Sequence, residues 1–88
     1  MQRTKILSDI LSIPTTAGTA SSISSATCVR IHNDVGSIVT VSISTAVGAG
    51  STFSFSMPAN SVEFLEKLPT DVIYASSAIK VNKVAFTN

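Results

Sequence analysis

From Thr27 onward the chain keeps a period of two residues, and that period leaves it little choice of backbone. In CVRIHN, Val29 and Ile31 share one side while Cys28, Arg30 and His32 share the other. In IVTVSIS, Val39, Val41 and Ile43 alternate with Thr40, Ser42 and Ser44; in TFSFSMP, Phe53, Phe55 and Met57 alternate with Thr52, Ser54 and Ser56. Successive strand side chains point to opposite faces, so such alternation specifies strands buried on one side. The β-branched and aromatic residues that dominate the apolar positions favour the same backbone.

The second half continues in kind. SVEFLEKL sets Val62 and Phe64 against Glu63, Leu65 and Lys67, and DVIYAS, apolar on both sides, reads as a more deeply buried strand. In IKVNKVAF, Ile79 and Val81 are out of phase with Val84 and Phe86, which predicts a β-bulge near Asn82 and Lys83. Between the runs stand turn signals. Asn33–Ser37 is rich in residues that tolerate positive φ, Pro58–Asn60 is a turn cluster, and Leu68–Asp71 places Pro69 at the second position of a type I turn.

Six strands joined by about two to six residues predict an antiparallel meander, because parallel pairing needs crossovers of about a dozen residues. The expectation is an all-β single domain over residues 1–88. Residues 1–26 form an N-terminal element and Ser/Thr-rich arm, and residues 27–88 the meander. An open meander with so few charges would expose sticky edges, so closure is expected, either as a small antiparallel barrel of the Sm-like or SH3-like kind or as a compact sandwich. The expected core is Val29, Ile31, Val39, Val41, Ile43, Phe53, Phe55, Met57, Val62, Phe64, Ile73 and Ile79. KILSDILSI reads equally as a short amphipathic helix or a strand, ended by Pro14. Thr15–Ala26 reads as a loop or arm with an edge strand around Ile23, an element suited to exchange between subunits.

Composition now bears on partners. Charged residues are 12% of the chain, against a usual share of about 25%, and 15 Ser with 10 Thr fill the polar positions. A surface that is polar but barely charged is expected to be covered in part by another copy of the chain or another structural protein. The net charge of +1 offers no basic footprint for nucleic acid. The lone Cys28 excludes an internal disulfide and fits a reducing compartment. No apolar run approaches the roughly 18 residues needed to span a bilayer. Arg3 and Lys5 followed by ILSDILSI and AGTA loosely copy a secretory leader, but Asp9 interrupts the apolar stretch, so secretion is not expected.

Candidate chemistry is sparse. Gly48 and Gly50 lack the third glycine of a dinucleotide loop and the lysine of a P-loop, and a strand rather than a helix follows them, so they read as a hairpin turn. His32 and Cys28 share a strand face roughly 13 Å apart, with Asp34 nearby, too few and too far for a zinc site. Glu63 and Glu66 fall on opposite faces and form no acid–base pair; Asp71 reads as a turn residue. No catalytic residue, metal or cofactor is expected. The one alternative site is a basic patch of Arg30, Lys67, Lys80 and Lys83 with Phe53, Phe55, Phe64 and Tyr74 as stacking platforms for a single strand. The phenylalanines lie in the core-facing phase, however, and lysines also guard strand edges.

RIHN, the FxMPxNSVEFLEKLPTD run and the closing VAF resemble small virion-associated proteins of tailed phages, marine myoviruses in particular, over residues 29 to 86. The resemblance implies a non-enzymatic β protein that assembles into or onto a particle, located in the virion or the host cytoplasm. None of its motifs is catalytic. The Sm-like likeness is one of architecture alone and implies, as the alternative, a nucleic-acid-binding ring.

Overall fold

The computed structural model describes residues 3–48 and 53–87. The stretch before Thr27 forms two short strands, β1 (Arg3–Ile6) and β2 (Leu11–Ser12), and a single 3-10 turn at Ala17–Thr19. The six alternating runs beyond it become β3 (Cys28–His32), β4 (Val39–Ser44), β5 (Phe53–Met57), β6 (Val62–Glu66), β7 (Val72–Ala75) and β8 (Lys80–Thr87). KILSDILSI is therefore strand in two pieces rather than helix. Among the described residues no helix is long and apolar enough to cross a membrane.

The strands pair in two antiparallel sheets, but not in the order of a meander. One sheet runs β1–β8–β3–β6, with β2 on the same side of β8 as β1, and the other runs β5–β4–β7. An isolated antiparallel bridge from Ser21 to Ile73 extends the second sheet beyond β7. Taking β1 with β2 as one interrupted strand and the Ser21 segment as another, the chain switches sheet at every connection except β4 to β5. That connectivity is a jelly roll, a two-sheet sandwich with its last strand inserted between its first and third. All-β character stands, while the meander and the Sm-like barrel give way to a sandwich whose edges stay open.

Between the sheets lie Val29, Ile31 and Val81 from one side and Val39, Val41, Met57, Ile73 and Ala75 from the other, all at most 2% exposed. Ile43, Phe55 and Leu65 pack against this core, and Ile13, Ile23, Ala26 and Ile79 belong to it. The N-terminal segment is thus part of its own chain's core rather than a free arm. The accessible surface, 4899 Å² for 9.1 kDa, matches the roughly 4,900 Å² that size scaling gives for a compact monomer.

Three expected core residues are exposed, Phe53 at 73%, Phe64 at 44% and Val62 at 40%. Phe53 has the inward phase opposite Ile43, at the end of the hairpin. In β6 the phase is reversed. Leu65 and Lys67 turn inward, and Val62 and Phe64 turn outward beside His32 and Arg30. The expected bulge lies on the other strand. Between the pairs Ile6–Val84 and Leu11–Val81, residues 7–10 stand opposite only Asn82 and Lys83, while β8 is continuous. Ser8 closes this excursion. Its Oγ accepts from the Lys83 N–H at 2.9 Å and its carbonyl from Asn82 Nδ2 at 3.1 Å.

Each sheet crossing brings backbone polar groups into the ends of the sandwich. After β3, the fully buried Asn33 donates from Nδ2 to the carbonyls of Ser37, Met57 and Pro58 at 3.0 to 3.1 Å, and its Oδ1 accepts from the Val35 N–H at 3.0 Å. This side chain, rather than positive φ, shapes the Asn33–Ser37 loop. The next crossing does use positive φ, at Asn60 (57°), and the Asp71 N–H donates to the Leu68 carbonyl at 3.0 Å to close the turn around Pro69. Gly48 at φ 81° serves the β4–β5 connection; Gly50 lies outside the described residues.

Before β3 the chain makes a left-handed turn, with Ile23, Ser24 and Ser25 at φ 54°, 56° and 57°. The left-handed region costs roughly 1–2 kcal/mol per residue for side chains other than glycine. Burial of Ile23 and the bond from the Ala26 N–H to the Ser22 carbonyl at 3.1 Å hold the turn against that cost.

Three substitutions test this by denaturant unfolding. Asn33→Ala is expected to lose about 2–4 kcal/mol, because it leaves buried carbonyls without a donor. Asn33→Asp, with the same shape but an acceptor facing three carbonyls, is expected to lose more. Ser24→Gly, at an exposed left-handed position, is expected to gain up to about 1 kcal/mol.

Candidate functional site

The four cations that sequence reasoning grouped do not form one patch. Arg30 lies on the outer face of β3, between Phe64 of β6 and Asn82 of β8, and Lys80 stands opposite His32 on the same face. Lys67 and Lys83 point elsewhere. Lys67 is 7% exposed, and its Nζ donates to the carbonyls of Ala26 (2.7 Å), Asp71 (2.9 Å) and Leu68 (3.3 Å). Lys83, opposite Val29, donates from Nζ to the Ser24 carbonyl at 3.0 Å. Two ammonium groups are thus engaged by the backbone around the left-handed turn. Burial lowers the Lys67 pKa, Asp71 opposes the shift and Lys83 adds to it.

The Lys67 clamp also explains the reversed phase of β6. Phe64 and Leu65 are adjacent apolar residues, so alternation alone permits either to face inward. Turning Leu65 inward carries Lys67 to the same side, where the ammonium meets carbonyls that would otherwise be buried without donors. The sequence held one signal for this, a lysine in phase with a leucine just before a Pro turn.

Beside the clamp, Cys28, Phe64, Leu68 and Pro69 line a shallow groove whose rim carries Glu66. Its chemistry is bland. The Cys28 thiol is half-buried, and burial first, then the Glu66 charge, push its pKa up, the opposite of what a nucleophilic thiolate needs. His32 lies two positions along the same face, between Val62 and Lys80, and Asp34 is exposed in the following loop. Among the described residues no group of three His, Cys, Asp or Glu side chains could hold a metal ion. Glu63 and Glu66 fall opposite Ile31 and Cys28, hence on different faces of the sheet.

The second sheet presents different chemistry. Thr40 pairs with Ser56, and Ser42 with Ser54 on one side and Tyr74 on the other, so their side chains share the outer face. Ser42 and Ser44 are buried within it, whereas Thr40, Ser54 and Ser56 are exposed. This is a neutral, hydroxyl-bearing surface. Large apolar side chains stand exposed at the margins of the fold: Phe53, Ile38 at 70%, Ile10 at 67% and Leu68 at 65%.

No protein-family model matches this sequence, and no curated protein or solved structure matches it.

The raised thiol pKa has a direct readout in the rate of iodoacetamide alkylation against pH. In the native protein the profile of Cys28 is expected to have its midpoint above that of the unfolded chain. Glu66→Gln is expected to lower that midpoint without abolishing the difference, because burial is the larger cause.

Proposed function

We propose that this chain is a non-enzymatic structural module that assembles with further copies of itself or with another structural protein, and that it is a component of a tailed-phage virion, located in the virion or the host cytoplasm. The observation that carries the reading is the exposure of Phe53, Ile38, Ile10 and Leu68 on a domain with six Lys and Arg and five Asp and Glu. A domain that works alone in water intersperses apolar side chains with charges of both signs. Here neutral hydroxyls take most of those places, and they lose less on being covered than charges do. The resemblance of residues 29–86 to phage virion proteins points the same way. Jelly rolls also recur in capsid shells and in lectins, an analogy of fold that raises the expectation without carrying it.

A second reading has one observation in its favour. Arg30 beside Phe64, with Lys80 on the same face, is a small version of a surface on which single-stranded nucleic acid stacks. It is weakened by the engagement of Lys67 and Lys83 with backbone carbonyls.

Two measurements separate the readings. Light scattering is expected to give a mass above 9.1 kDa per particle, in multiples of the chain; a monomer at all concentrations would overturn the assembly reading. Retention on single-stranded RNA is expected to be negligible at moderate salt. Two phosphate contacts support a log–log salt slope of only about −1.4, so tight binding with a steeper slope would favour the second reading.

A further inference from the structure

The sandwich leaves four edges among the described residues: β1 with β2, the Ser21 segment beside β7, β6, and β5. An open edge is a row of backbone donors and acceptors ready to accept another strand, and proteins that stay apart blunt their edges. Three of the four are blunted. The β1–β2 edge carries Arg3 and Lys5 and is broken by the excursion that holds Asp9. The Ser21 segment makes one bridge and then enters the left-handed turn. Strand β6 carries Glu63 and Glu66.

Strand β5 has no such device. Its five residues are Phe-Ser-Phe-Ser-Met, with no charge, and the proline that follows lies beyond the strand at Pro58. It pairs with β4 alone, at the end of its sheet, and Phe53, Ser54 and Ser56 are exposed.

We propose that β5 is the contact through which this chain assembles, and that its occupant is β5 of a second copy, paired antiparallel about Phe55. The inference rests on the assembly reading above and names its surface. The strand reads nearly the same in both directions from Phe55, so a two-fold axis there sets like against like. Phe55 meets the second copy's Phe55, and Ser54 meets the second copy's Ser56 on the outer face. Neither strand brings a charge to the other, and facing hydroxyls form favourable cross-strand pairs. In the equivalent self-pairing of β6 about Phe64, Glu63 would face Leu65 and Glu66 would face Val62, so each copy would set a charge against an apolar side chain of the other. The contact is isologous and closes on itself. It turns two three-stranded sheets into one of six strands, and joins the hydroxyl-bearing faces of Thr40, Ser42, Ser54 and Ser56 across the axis.

The test is the light-scattering mass of the full chain across a concentration series, with circular dichroism as the check of folding. Wild type is expected above monomer mass. Ser54→Lys with Ser56→Lys sets like charges at both facing pairs and is expected to halve the mass while the strand spectrum persists. Ser54→Lys with Ser56→Glu sets opposite charges at the same pairs and is expected to restore the wild-type mass. An oligomeric wild type whose mass survives the double lysine substitution overturns this edge and leaves the assembly reading standing. A wild type that is monomeric throughout overturns both, and two monomeric double variants overturn the register. Amide exchange at Phe53–Met57 in the wild type gives a readout free of substitutions. Protection that grows with protein concentration is expected, and exchange independent of concentration overturns the proposal.

Discussion

The ends of the sandwich, more than its middle, decide whether this chain folds. A jelly roll changes sheet at nearly every connection, and each change carries carbonyls and amides out of their ladders into places that water reaches poorly. Two side chains gather most of them. Asn33 closes one end of β3 and Lys67 the other, and between them they donate to six carbonyls. The ladder between β3 and β6 is prolonged at the same two points, by the Asn33 N–H to the Ser61 carbonyl and the Lys67 N–H to the Thr27 carbonyl, both 2.9 Å. No buried side-chain nitrogen or oxygen among the described residues lacks a partner. With so small a core, these polar bolts are what single out one packing of the sheets from its near relatives.

How far the fold is legible in the sequence depends on the length of the interactions that decide it. Alternation is local, and it places all six strands after Thr27 within a residue or two. Topology is not local. Sheets in a sandwich stand about 10 Å apart, a distance that three extended residues cover. Loops of four to six residues, such as 33–38 and 58–61, therefore serve a hairpin and a sheet crossing equally well, and loop length cannot choose between meander and jelly roll. The N-terminal strands escape for another reason. Ile23 reaches the core as a single apolar residue among serines, and Ile13 ends the run KILSDILSI, whose pattern suits helix and strand equally. Nothing in a β-branched residue announces positive φ, yet Ile23 adopts it because burial of its side chain and the turn's hydrogen bonds outweigh the strain.

Basic residues were the least legible feature. A lysine in a polar run reads as solvent-facing, and four of them invite a patch. Lys67 instead serves as a buried donor and Lys83 as a surface donor to the backbone, uses visible only once the fold sets carbonyls before them. The outward turn of Phe64 is the same event seen from the other side of β6. What remained readable was the neutrality of the surface, because it is a property of composition and survives any topology.

The place of β8 has a consequence for the order of events during synthesis. It lies between β1–β2 on one side and β3 on the other, and it follows all of them in the chain. Until it emerges from the ribosome, the larger sheet exists as separate pieces, and Ile13 and Val29 lack the strand that brings them together. The hairpin β4–β5 is the one pair that forms from neighbours in sequence. In the nascent chain β1 and β2 therefore have no partner strand until β8 is made, and the two halves of the larger sheet are joined only by the last strand of the fold.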